Sequence, residues 1–219
     1  MKNASTLLTL VLVCGLAEAS PVTGRVRSAG RASGVSVPVF VYAEALDSRR
    51  VQPGRFNMTQ KNKSFVPHVL AVPVGSTVTF PNHDSIFHNV FSLSRPNPFD
   101  LGLYKDGQTK DRTFTTPAIY RVFCNIHPQM SATILVVATP YITEADNAGN
   151  YRFDLPSGRY RVTAWNEHSV QPAALEITVG NNAQTVPDLT LDESQSLNAA
   201  HKNKFGQDYP KSAYDPKKN

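Results

Sequence analysis

The stretch Cys124-Asn125-Ile126-His127-Pro128-Gln129-Met130 places a thiol, an imidazole and a thioether within seven consecutive positions. Soft sulfur donors beside imidazole select copper, and a thiolate, two imidazoles and a weak thioether make the trigonal site that transfers single electrons. The loop lacks one imidazole for that set. His88, in Phe87-His88-Asn89-Val90, can supply it, following the apolar run Val78-Thr79-Phe80 and the turn-like Pro81-Asn82-His83-Asp84. Taken singly, a cysteine is usually a small buried hydrophobe and a methionine core filler; their concentration in one loop is what points to a metal. Structural zinc prefers four Cys or His ligands, and this loop holds one cysteine and a methionine. Cys–His nucleophilic catalysis needs the pair free of metal, with an oxyanion site and an orienting partner, and nothing nearby supplies them.

The two motifs together resemble those of the cupredoxins, or blue copper proteins, whose first histidine sits in a His-Asn-Val context and whose other three ligands share one loop. The Cys-x-x-His-x-x-Met spacing is most similar to the amicyanin branch of these plastocyanin-like proteins, and the resemblance covers residues 57–139. It implies one type 1 copper held by His88, Cys124, His127 and Met130, with Met130 as the long axial contact. It also implies that Asn89 braces the cysteine loop by hydrogen bonding, that a backbone amide points at the Cys124 sulfur, and that Pro128 matches the proline after the loop histidine. Asn125-Ile126 departs from the residues usual between the cysteine and histidine. His83 reads as an exposed loop residue, and His68, His168 and His201 as surface positions.

Every element that could position these residues reads as a strand. Apolar, β-branched runs bounded by Gly and Pro mark Val22 to Val26, Val35 to Tyr42, Val69 to Val74, Thr77 to Phe80, Tyr120 to Phe123 and Ile134 to Val137. No stretch sustains a helical period, so the expected class is all-β. Gly75 bends one strand pair, and the metal loop is anchored by strands at both ends. Further on, Tyr151-x-Phe153-x-Leu155, Pro156-Ser157-Gly158 and Tyr160-x-Val162-x-Ala164 predict a half-buried hairpin by strict alternation about a turn. With Leu175-x-Ile177-x-Val179, Gly180-Asn181-Asn182 and Leu189-x-Leu191, this stretch resembles the carboxypeptidase regulatory-like domain, a small β-sandwich that serves mostly in binding or structure. The opening Gly-x-Val strand of that family is found at Thr23-Gly24-Arg25-Val26 and Gly34 to Tyr42, ahead of the copper segment. The expected architecture is therefore a Greek-key cupredoxin sandwich, residues 56–139, inserted into a discontinuous regulatory-like sandwich, residues 20–55 and 140–192. The competing arrangement adds Val22 to Tyr42 to the cupredoxin sheets.

The first nineteen residues read as an export signal: Lys2, an apolar run from Leu7 to Leu16, and Ala17-Glu18-Ala19 as a small-x-small cleavage site. A lipoprotein signal at Cys14 competes weakly, because Val13 is bulky where such signals take a small residue. Loss of the leader leaves Cys124 as the lone cysteine in an oxidising compartment, where a metal-bound thiolate is protected. The expected location is the periplasm. The net charge is +5, and from His201 onward five lysines against Asp208 and Asp215 leave +3. Such a tail, residues 193–219, frays in solvent or makes weak contact with an acidic partner or an anionic membrane surface. Aromatics that follow strand patterns without interleaving a basic patch exclude a nucleic-acid binder. The six histidines form no His-x-His or His-Cys-His of the kind multi-copper oxidases and nitrite reductases use. The expected function is non-enzymatic electron transfer with a transient protein redox partner. The alternative is a copper carrier or a non-redox binding module.

Overall fold

The computed structural model describes residues 19–30, 37–194 and 202–209. The expected leader with Cys14, the start of the Gly34 to Tyr42 pattern, His201 and most of the basic tail lie outside the described residues.

Period-two alternation builds one β-sandwich from both ends of the chain. Tyr151, Phe153 and Leu155 are buried on Asn150–Pro156, as are Tyr160, Val162 and Ala164 on Gly158–Trp165. Asn150–Pro156 runs antiparallel to Ala19–Ala29, with Ala19 opposite Pro156 and Arg25 opposite Asn150. Gln184–Thr185 and Leu189–Asp192 pair parallel with that same early strand. The facing sheet is ordered Ile142–Glu144, Phe40–Ala45, Gly158–Trp165, Ala173–Val179. Val22, Val41, Leu155, Val162 and Leu191 fill the space between the sheets. Among the described residues, the early strands thus pair with the late ones and not with the sheets that carry the loop at residues 124–130.

The hairpin expected across Pro156-Ser157-Gly158 is not formed: its two arms lie in opposite sheets, and the chain arches over the end of the sandwich. Alternation is blind to this difference, because arch and hairpin turn the same residues toward the core. A tyrosine holds the arch. Fully buried Tyr160 donates its hydroxyl hydrogen bond to the Pro156 carbonyl at 2.8 Å, four residues upstream. Tyr120 repeats the device in the second sandwich, donating to the Thr116 carbonyl at 3.1 Å.

That second sandwich occupies the interval between the early and late strands. Its five-stranded sheet is ordered Val69–Pro73, Ser131–Val137, Ala118–Phe123, His88–Ser92, Phe99–Tyr104, and its three-stranded sheet Thr109–Thr113, Thr77–Pro81, Arg55–Asn57. At Gly75, where φ is +87°, the chain passes from one sheet to the other, a conformation that glycine adopts without a Cβ penalty. Val72, Val78, Phe80, Phe114, Tyr120 and Ile134 form its core. Ser131–Val137 is buried on both faces. Its outward side chains Leu135 and Val137 join Val69, Ala71, Phe40, Tyr42, Ile142 and Trp165 in a third apolar cluster that welds the two sandwiches.

Beside this weld, His68 Nε2 lies 2.8 Å from Glu167 Oε2, and the other carboxylate oxygen accepts from the Thr133 hydroxyl. The hydrogen bond to Glu167 raises the His68 pKa against the effects of burial and Arg121. Burial opposes ionisation of Glu167, but His68 and Thr133 overcome it and the pKa falls. A raised histidine stabilises below its ordinary 6.5 and loses that contribution as pH climbs through the folded value. A lowered glutamate stabilises above its ordinary 4.5 and loses it on acidification. The weld is therefore tightest from pH 4.5 to 6.5 and loosens toward alkaline pH. Trp165, the one tryptophan, is 6% exposed in the adjoining cluster and reports this. Its emission should shift to the red as pH rises above neutral, and Glu167→Gln should abolish that dependence.

Candidate metal centre

Three strand ends meet at one rim of the five-stranded sheet. His88 opens His88–Ser92, Cys124 follows the last residue of Ala118–Phe123, and Ser131 begins the strand after Met130. Phe123 pairs with Ser131 on one side and Phe91 on the other, so both ends of the loop are tied to the sheet that carries His88. Within the loop, the Met130 N–H donates to the His127 carbonyl at 2.9 Å and the Cys124 N–H to the Met130 carbonyl at 3.2 Å.

This closure brings three donors together. Nδ1 of His88 and Nδ1 of His127 are 3.1 Å apart, and Cys124 Sγ lies 3.8 and 3.7 Å from them. Such a triangle is spanned by two nitrogens about 2.0 Å and a sulfur about 2.3 Å from a common centre, the bond lengths of a bound transition metal. Among the described residues, these three form the one cluster of this kind. His88 and Cys124 are fully buried, Met130 is buried in the core beneath the rim, and His127 is half-buried. The donors fit copper: two imidazoles, a thiolate and a neighbouring thioether form a soft set.

The tautomer of His88 is set by a residue the sequence reading passed over. Asp84 Oδ2 lies 2.8 Å from His88 Nε2, and a carboxylate only accepts, so Nε2 carries the hydrogen and Nδ1 presents its lone pair to the triangle. Asp84 is held in turn by the two-residue turn Asn62-Lys63, whose φ angles of 55° and 54° aim both N–H groups at the carboxylate, at 2.6 and 2.8 Å. Burial works against its charge, but the Lys63 N–H, His88 and the Asn62 N–H lower its pKa. The sequence signal was a carboxylate four positions before the histidine, read there only as part of a turn.

Asn89 Oδ1 accepts from the Asn125 N–H at 2.8 Å, the brace that the family resemblance implies, and Asn89 Nδ2 donates to Asp100 Oδ1 at 2.6 Å. Burial raises the Cys124 pKa, while the backbone N–H groups of Asn89, Ile126 and His127 counter it. A metal bound here would therefore displace a thiol proton. Burial, then His88 and Lys63, lower the pKa of His127, keeping it neutral as a ligand requires. Pro128 is buried, so it does not line the exposed edge of His127. Phe87 and Ile126, 54% and 44% exposed, are the apolar residues that reach solvent there. His83 is exposed and His168 half-buried, and neither belongs to the cluster.

No protein-family model matches the chain, and no curated protein matches it. Solved structures do match. Its structural neighbours include cupredoxins. A purple cupredoxin from Nitrosopumilus maritimus is 24% identical over 37% of this chain and 98% of its own, with a TM-score of 0.35. A reduced amicyanin mutant is 24% identical over 44% of this chain and 99% of its own, at a TM-score of 0.37. A copper-containing nitrite reductase from Thermus scotoductus is 31% identical over 42% of this chain, at a TM-score of 0.37, and the match spans only 24% of that enzyme.

Proposed function

We propose that this is an exported, periplasmic type 1 copper protein that carries single electrons between transient protein partners and is not an enzyme. In this reading one copper is held by His88, Cys124, His127 and Met130, and the discontinuous sandwich is a regulatory-like binding or structural module. The observation that carries the proposal is the nitrogen–nitrogen–sulfur triangle with edges of 3.1, 3.7 and 3.8 Å. Copper bound there would supply a one-electron couple. The chain's part is to hold the donors still: Asp84 fixes the His88 ring, Asn89 fixes the loop, and the amides around Cys124 favour its thiolate. With Nδ1 turned inward, His127 offers its half-exposed side to a partner, and Phe87 and Ile126 flank the route with apolar surface suited to brief docking.

The deciding experiment is an absorption spectrum of the copper-loaded chain without its leader. An intense visible band that bleaches on reduction and returns on oxidation supports the proposal; a colourless copper complex overturns it. Ile126→Glu tests the route. A charge in the docking patch should slow electron exchange with an electrode or acceptor protein while the visible spectrum stays that of the parent, and unchanged rates would place the route elsewhere.

A further inference from the structure

Residues 202–209 belong to neither sandwich, yet they lie on the metal loop. The Lys204 N–H donates to Asn125 Oδ1 at 3.0 Å, Lys204 Nζ pairs with Asp100 Oδ2 at 2.8 Å, and the Tyr209 hydroxyl donates to the Cys124 carbonyl at 3.4 Å. The segment is braced from within. Asn203 donates its N–H to the Gln207 carbonyl at 2.8 Å, its side-chain oxygen accepts from the Phe205 and Gln207 N–H groups, and Lys202 pairs with Asp208 at 2.6 Å. Gly206, with φ at +76°, makes the tight turn.

These contacts land on groups already tied to the metal loop. Asp100 accepts from Asn89, Asn89 accepts from the Asn125 N–H, Asn125 accepts from Lys204, and Lys204 returns to Asp100. The circuit links the strand of His88, the strand Phe99–Tyr104 and the residue after Cys124. Asp100 is anionic there: burial opposes its charge, but Lys204 and the Gly102 N–H outweigh it.

We infer that residues 202–209 are a strap that positions the copper loop, with Lys204 as the positioning residue that closes the circuit around Asn89, Asn125 and Asp100. This rests on the copper reading above. A held loop keeps Cys124 and His127 in register with His88 in both oxidation states, and loss of such supporting partners typically costs about 10–100-fold in metal affinity. Lys204 also sets the local charge: removing it leaves the Asp100 carboxylate uncompensated near the site, which favours the more positive metal state.

The test compares the parent, Lys204→Met, Lys204→Arg and a chain ending at Ser194. Copper(I) release to a chelator should quicken by about tenfold in Lys204→Met and in the shortened chain. The reduction potential should fall in Lys204→Met, and Lys204→Arg should restore both quantities. Parent-like release and potential in the shortened chain would overturn the strap. If the parent itself shows no thiolate-to-copper band, the copper reading fails and the strap is judged on the metal-free protein. Faster hydrogen exchange at the Asn125 amide on shortening then supports it, and unchanged exchange overturns it.

Discussion

Cys124→Ser should leave the copper-loaded protein without its intense visible band and with copper held more than about 100-fold more weakly, beyond the usual cost of disturbing a supporting partner. A hydroxyl stays protonated where the thiol ionises, and it offers none of the soft covalency by which a thiolate selects copper. The fold should survive. Cys124 is fully buried at a strand end, and serine is nearly isosteric with it, so the far-ultraviolet circular dichroism should match the parent. A serine variant that stayed coloured would show that the thiolate is not the chromophore and would remove the basis for the donor triangle.

Trp165→Ala should cost about 3–5 kcal/mol, the range for emptying a large aromatic side chain from a core. For a chain of this size each kcal/mol lowers the melting temperature by about 2–4 °C, so a fall of roughly 6–20 °C is expected in calorimetry. Because Trp165 packs on Val69, Leu135 and Val137 of the other sandwich, the loss falls on the weld between them. The single transition should divide, with the visible band of the copper site and the far-ultraviolet signal melting at different temperatures. A variant that still melted as one unit, within a degree or two of the parent, would mean that the sandwiches are joined elsewhere.

The strands were legible in the sequence because period-two alternation and Gly or Pro punctuation report burial directly, and Tyr151, Phe153, Leu155, Tyr160, Val162 and Ala164 are buried as that pattern requires. Which sheet each strand joins was harder to read. The arms around Pro156-Ser157-Gly158 have the same pattern whether they pair or arch apart, and the Tyr160 hydroxyl bond that separates the cases involves a residue that alternation counts only as apolar. In the candidate metal centre, the meeting of His88, Cys124 and His127 was readable because ligand chemistry restricts the residue types, and the Asn89 brace because the cupredoxin resemblance implied it. Asp84 was missed, since its partners are the turn at Asn62-Lys63 and a ring that only folding brings to it. Pro128 was legible only as the proline after the loop histidine, and its burial follows from the fold. The segment around Lys204 read by its charge as a solvated tail. Asn203 and Gly206 carried a turn signal there, but nothing local indicated that Asn125 and Asp100 would receive it.

The pairing of Ala19–Ala29 with strands near the other end of the chain has a consequence for the order of folding. Thr23 meets Thr185 across 162 residues of sequence, and the strand's antiparallel partner Asn150–Pro156 also follows the whole inserted sandwich. A chain made from its N-terminus presents this strand long before any of its partners. Until then both of its edges carry unpaired N–H and C=O groups, the surface on which strands of different chains join. The inserted sandwich, whose described strands pair only with one another, can close in the meantime and bring the waiting ends together. Folding of the outer sandwich is thereby made to follow folding of the inner one, and the early strand is the part of the molecule that waits longest with its edges open.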